Sequence, residues 1–245
     1  MKTLISHFYN EEYLLPWWLD HHKNNFDHGI MINYFSNDNS VSIIKEMCPD
    51  WEIVNTRNQN FDAVLADREI MDIERSIDGW RVALNTTEFL IGDYSLLDED
   101  PERKDFFIPP LIMIDNEKNE FTQPNPHESL VSQRTYGVSY EIPEYFRFKR
   151  ARKISNYFSE YPLGRHYENF NTEKLVILWY GFSPMTEELI NRKTQIQKNI
   201  PETDKQKGLG AHHLVSREKV LEQFKNWQTK AEDMQNNIKK IQNLL

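Results

Sequence analysis

The sequence predicts an α/β fold, a mainly parallel sheet flanked by helices, with a C-terminal amphipathic helix. Three observations predict it. Short apolar runs alternate with helical stretches as far as residue 92. Polar clusters follow those runs, at the carboxyl ends of the implied strands, where open α/β sheets bind ligands. The last stretch, 216–245, carries apolar side chains alternately four and three residues apart.

Residues 3–9 (TLISHFY) read as a buried strand and Asn10-Glu11-Glu12 as the turn into a helix. Pro16 suits the first turn of that helix, where a missing N–H costs little. GIMINYF (29–35) is a second short apolar run, closed by the turn cluster SNDNS. VSIIKEMC (41–48) reads as a helix and WEIVNTR (51–57) as a third strand. In 61–77, Phe61, Val64, Leu65, Ile70, Ile73 and Ile77 fall at helical spacing. WRVAL (80–84) is a fourth strand. Strands parted by helices in this rhythm predict βαβ units.

From 93 to 135 the pattern weakens to an acidic run (DEDPERKD), one apolar piece (IPPLIMI, 108–114) and a proline-rich loop (TQPNPHE). Loops of this length are usually functional or disordered. Strand-like text returns at 136–149 and 174–182, 184–199 reads as helical, and KQKGLGAHHLVS (205–216) as a glycine-containing loop. Val220, Phe224, Trp227, Ala231, Met234, Ile238, Ile241 and Leu245 then form a heptad-like seam. Two readings stand: a terminal helix packed on its own domain, or a coiled-coil-like helix through which the chain forms a homo-oligomer. The organisation expected is one domain over 1–215 and this helix over 216–245.

Composition narrows the function. A net charge of −9 argues against broad nucleic-acid binding, which needs a basic surface. Cys48 is the one cysteine, so no intrachain disulfide and no thiolate cluster forms, which suits a reducing cytoplasm. The N-terminal apolar text is interrupted by His7, Asn10, Glu11 and Glu12, unlike a signal peptide. No apolar run approaches the roughly 18 residues of a transmembrane segment. The expected protein is soluble and cytoplasmic, with a peripheral place at a membrane left open.

The phrases HFYNEEYLLPWWLDHH and FDHGIMINYFSNDNS, followed by WRVALNTTEF, resemble the opening of glycosyltransferases of the family-2 and family-92-like group, which have the GT-A fold. The resemblance covers 3–93 well and the C-terminal half loosely. It implies transfer of a sugar from a nucleotide-sugar donor to a glycan or lipid-linked acceptor. It places His7, Tyr9, Asn10 and Glu11 at the base and ribose end of the donor, with Asn37 and Asp38 beside the nucleoside. Asn10 has a second reading as a helix N-cap. Trp17 and Trp18 suit core packing more than sugar stacking. His21 and His22, adjacent on a helix, face different ways.

The sequence departs from the resemblance at the metal motif. Where the group carries Asp-x-Asp, this chain has Asn85 and Thr87, leaving Glu88 as the hard carboxylate at that tip. A divalent metal (Mn or Mg) prefers anionic oxygen ligands, and His213 is the further ligand the resemblance suggests. Weak metal use, a metal-free site and lost catalysis all remain open. A metal-free site needs cations: Arg165 with His166, Arg68, or the cluster Arg147, Lys149, Arg150, Arg152 and Lys153. An inverting transfer needs a carboxylate base, and Glu88 and Glu128 both qualify. The competing class is a non-catalytic nucleotide-sugar-binding, glycan-binding or scaffold protein that keeps the fold without the metal motif.

Overall fold

A computed structural model of the chain describes residues 1–60, 62–99, 105–138, 149–152, 174–206 and 214–242. The first part alternates strand and helix: β1 (Lys2–Phe8), α1 (Leu15–His22), β2 (His28–Asn33), α2 (Ser40–Met47), β3 (Glu52–Asn55), α3 (Ala63–Ser76) and β4 (Trp80–Ala83). After it come β5 (Glu88–Gly92), α4 (Leu96–Glu99), β6 (Asp105–Ile108), β7 (Pro110–Ile114), α5 (Leu130–Gln133), β8 (Tyr136–Val138) and β9 (Lys149–Arg152). The chain continues through β10 (Leu175–Phe182), α6 (Glu187–Gln195), a 3-10 turn (Ile196–Asn199), α7 (Glu202–Gln206), α8 (Arg217–Gln228), β11 (Glu232–Asp233) and α9 (Gln235–Gln242).

The strands form two sheets. The first runs β3-β2-β1-β4-β9-β6; its β3, β2, β1 and β4 are parallel, and β9 lies antiparallel to β4 and to β6. The chain lays down β1, β2 and β3 outward, then returns to place β4 on the other side of β1. That reversal makes the β1/β4 boundary the topological switch point, the crevice where such sheets bind ligands. The second sheet runs β11-β8-β7-β10-β5, with β7 and β10 parallel and the other pairs antiparallel.

Alternation along β1 and β2 explains why the first sheet is covered on both faces. Leu4, Phe8 and Met31 enter a large core with Trp18 and Leu19 of α1, Ile44 of α2, and Phe89 and Ile177 of the second sheet. Ile5 and Ile32 point the other way, onto Ala66 and Ile70 of α3. Pro16 sits in the first turn of α1, as its missing donor allows. Asp62 caps α3, its side chain accepting from Leu65 N–H at 2.8 Å. Gly29 is dictated by packing: a Cβ there would lie 2.2 Å from the Trp51 ring.

Two expectations are corrected. The phrase WRVALNTTEF, which carries the resemblance, is divided between the sheets: the strand WRVAL ends at Ala83, the chain turns, and Glu88 opens β5 in the other sheet. The single coiled-coil-like terminal helix is two helices. After Gln228 the chain turns and β11 pairs with β8; the Met234 N–H donates to the Thr135 carbonyl, and the Gln235 N–H donates to Asp233 Oδ1 at 3.0 Å as α9 begins. The seam then buries in its own domain. Val220, Phe224 and Trp227 pack with Leu189 and Ile190 of α6, while Met234 and Ile238 join the large core. A homo-oligomer built on the seam therefore finds those five side chains at most 9% exposed.

Candidate functional site

The predicted polar residues at the ends of β1 and β2 do come together. Asn10, with φ 51°, and Asn37 exchange a reciprocal pair of bonds: Asn10 Nδ2 donates to Asn37 Oδ1 and the Asn37 N–H to Asn10 Oδ1, both at 2.9 Å. The Glu12 N–H donates to Asp38 Oδ2 at 3.1 Å, the Glu11 N–H to Ser40 Oγ at 2.9 Å, and the Asn10 N–H to Ser36 Oγ at 3.0 Å. These bonds lock the β1–α1 turn to the β2–α2 loop. They also set aside the capping role for Asn10: the N-cap of α1 is Leu14, without a side-chain cap. His7 packs edge-on against the Tyr34 ring at 5.8 Å, and Tyr9 is half-buried against the α3 side.

Beyond β4 the chain folds tightly over Asn85–Glu88. Glu88 Oε2 accepts from the Asn85 N–H at 2.6 Å and Oε1 from Asn85 Nδ2 at 3.1 Å, while the Glu88 N–H returns to the Asn85 carbonyl at 2.9 Å. Glu88 is 0% exposed and Thr87 is buried. A hard cation needs open anionic oxygens, and both oxygens of this carboxylate are already engaged. Among the described residues no three His, Cys, Asp or Glu side chains gather as a metal-holding group. The described tip therefore does not fit a divalent metal.

Two residues that sequence reasoning missed close the crevice. Helix α6 is capped by Thr186 and buries Leu189 and Ile190, which lays its Arg192 and Gln195 against the end of β1. Positions three apart share a helix face. Arg192 Nε pairs with the Glu11 carboxylate, and Arg192 Nη2 reaches Thr86 Oγ1 at 3.4 Å. Gln195 Nε2 donates to the Tyr9 and Asn10 carbonyls at 3.3 and 3.1 Å. Arg192 thus spans the switch point, from the turn after β1 to the turn after β4. The sequence marks 184–199 as a helix but carries nothing to single out one arginine on it.

At the β2 and β3 ends lies a buried polar knot that was also missed. Glu69 of α3 accepts from Tyr34 Oη (3.1 Å), Thr56 Oγ1 (2.7 Å), Asn58 Nδ2 (3.1 Å) and the Arg57 N–H (2.8 Å). Burial pushes the Tyr34 phenol up to about 12. Next to it Phe35, with φ 59°, is 59% exposed.

The other predicted residues fall elsewhere. Arg68 is exposed on α3 and takes no part in this network. Glu128 is exposed in the loop before α5, its carboxylate accepting from Asn125 Nδ2 at 2.7 Å. Trp18 is fully buried and donates to the Glu88 carbonyl at 2.9 Å, in keeping with core packing. His22 Nδ1 donates to the Trp18 carbonyl at 2.8 Å and its Nε2 accepts the Leu90 N–H at 3.1 Å. His21 Nε2 donates to the Leu90 carbonyl at 2.7 Å. Burial holds both imidazoles below their ordinary range, His22 well below it. Arg165, His166, His212, His213, Arg147 and Lys153 lie outside the described residues, as do the side chains of Lys149, Arg150 and Arg152.

No protein-family model matches the sequence, and no curated protein matches it. Solved structures do show a likeness. One is S. aureus TarS 1-349, at 11% identity and TM-score 0.38, over 87% of this chain and 70% of that one. A second is HddC from Yersinia pseudotuberculosis, at 8% identity and TM-score 0.44, over 74% of this chain and 94% of that one. A third is glucosyl-3-phosphoglycerate synthase from Mycobacterium tuberculosis, in complex with Mn2+, UDP and glucosyl-3-phosphoglycerate, at 10% identity and TM-score 0.34, over 62% of this chain and 56% of that one. With identities of 8 to 11% and TM-scores below 0.5, what the chain does rests on its own residues.

Proposed function

We propose that the chain is a glycosyltransferase that takes a nucleotide-sugar donor at the β1/β4 switch point and passes the sugar to a glycan or lipid-linked acceptor. The observation that carries this is the convergence of Glu11, Arg192 and Thr86 across the switch point, beside the Asn10–Asn37 lock. The crevice offers amide and carbonyl groups on the β2 side and a guanidinium at the centre, a fit for a nucleoside and its diphosphate. In this reading His7, Tyr9, Asn37 and Asp38 face the nucleoside, Arg165 and His166 remain donor-side candidates, and His213 stays the candidate metal ligand. Arg68, exposed on α3, is the outlying one.

In the transfer, the bond from the anomeric carbon to the diphosphate oxygen breaks and a bond to the acceptor oxygen forms. The nucleoside diphosphate leaves with the bonding electrons, and a carboxylate takes the hydroxyl proton. Of the two candidate bases, Glu128 is exposed and Glu88 is not, which favours Glu128. No helix of the described residues is long and apolar enough to cross a membrane. We place the protein in the cytoplasm, peripheral to a membrane when the acceptor is lipid-linked.

Calorimetry with UDP- and GDP-sugars, in Mn2+ and in EDTA, tests the reading. Binding of one donor is expected; no binding in either condition sinks it. One observation favours the second reading, a non-catalytic nucleotide-sugar-binding protein: the carboxylate at the motif tip is buried and fully engaged. Donor binding without release of free nucleotide when candidate acceptors are added would favour it.

A further inference from the structure

We infer that Arg192 is the group that holds the donor's diphosphate, standing at the switch point as a fixed cation in a tip whose carboxylate is shut away. The inference rests on the donor-site reading above. Three observations lead to it. The first is position: Arg192 bridges the turn after β1, through Glu11, and the turn after β4, through Thr86. A phosphate entering the crevice between those two strands meets this guanidinium.

The second is its unfilled bonding. A guanidinium carries five N–H donors in a fork that matches phosphate oxygens two at a time. Here the Nε side is taken by Glu11, and the Nη end has only the long 3.4 Å contact to Thr86 Oγ1 among the described residues. The Arg192 side chain is 18% exposed, against 9% for its partner Glu11, so the pair is not sealed from solvent. The third is what surrounds it. Glu88 is 0% exposed and both its oxygens accept from Asn85, so its carboxylate is turned into the tip rather than out to the crevice. Glu11 orients the guanidinium and tempers its charge, as a carboxylate behind an arginine does.

The test is calorimetry in EDTA with UDP, GDP, uridine and guanosine as probes. The wild-type chain is expected to bind one nucleoside diphosphate without metal. Arg192→Gln should weaken that diphosphate at least tenfold and leave the matching nucleoside within twofold, since only the phosphates meet the guanidinium. Glu11→Gln should keep or tighten diphosphate binding by freeing the Nε edge. Arg192→Lys should lose fivefold or more, because an ammonium cannot pair bidentately, and this variant with Glu11→Gln carries the test if Arg192→Gln fails to fold. Diphosphate affinity indifferent to both Arg192 substitutions overturns the inference. So does equal loss of nucleoside and diphosphate, which makes Arg192 a structural group, and so does wild-type binding that requires Mn2+. Wild-type failure to bind any probe, with or without Mn2+, overturns the donor reading itself.

Discussion

Two arginine–carboxylate pairs sit at comparable places in the two sheets, and they differ in what is left over. In the second sheet Asp115 follows β7 and Ser183 follows its parallel neighbour β10; Asp115 accepts the Ser183 hydroxyl and, at 2.8 Å, the Met185 N–H. Arg134 Nε lies 3.3 Å from Asp115 Oδ1, an ionic contact whose N–H is not aimed for a hydrogen bond. Its Nη2 donates to the Thr122 carbonyl at 2.9 Å, its Nη1 to the Gln133 carbonyl at 3.3 Å, and Tyr180 Oη donates to its carbonyl at 3.0 Å. Side-chain exposures are 7% and 0%. At the first sheet's switch point, Arg192 and Glu11 have the same chemistry at 18% and 9%, with the Nη end nearly unspent among the described residues. One pair is closed by the protein around it. The other is built into the fold yet left incomplete, and incompleteness is what a binding group needs.

The comparison breaks most visibly on stability. Arg134→Met should cost about 4 kcal/mol in urea unfolding, since it strands a buried carboxylate and two carbonyls, and it should leave nucleotide affinity unchanged in the protein that still folds. Arg192→Gln should cost less, about 1 to 2 kcal/mol, because Glu11 regains water at the crevice. Equal losses from the two variants would erase the distinction.

Acidity sharpens it further. Burial pushes the Asp115 carboxyl up to about 6, against the Ser183 and Met185 hydrogen bonds and the Arg134 charge, which pull it down. A raised folded pKa means that this group's contribution to stability is full below the ordinary carboxylate range and is lost as pH rises through about 6. His21 and His22 run the opposite way. Their folded pKa lies below the ordinary imidazole value, so their contribution is full above that value and is lost as pH falls beneath it. Urea unfolding of wild type and Asp115→Asn at pH 7 and pH 5 should therefore show the gap between them widening by about 1 kcal/mol at the lower pH. A constant gap would mean that Asp115 is not shifted. The smallest effect belongs to Thr86→Val, which removes a long contact and should change stability by less than about 0.5 kcal/mol.

The β1–β4 part of the first sheet is legible from sequence because each of those strands declares itself locally, whereas β6 and β9 fall in stretches that read as charged runs. TLISHFY, GIMINYF, WEIVNTR and WRVAL are short apolar runs bounded by polar turns, and the helices between them keep a helical period. The second sheet is not, because β5, β7, β8, β10 and β11 are gathered from distant parts of the chain. β5 follows β4 after only the Asn85–Thr87 turn, yet it belongs to the other sheet. The terminal seam was visible as apolar spacing, yet its break depends on β11 finding β8, a contact no local window contains. The resemblance points to Asn10, Glu11, Asn37 and Asp38, which follow strands directly. Arg192 could not be foreseen: its partners lie 181 and 106 residues away, and nothing in TEELINRKTQ (186–195) says which side chain will face a crevice.

That separation along the chain also sets an order of events in the cell. Synthesis runs from the N-terminus, and leading segments can begin to fold before later ones exist. The strands that frame the crevice, β1 to β4, leave the ribosome well before the helix bearing Arg192. If Arg192 holds the donor, a nascent chain that has released β1 to β4 carries the strands of the crevice but not yet the helix that bears its cation.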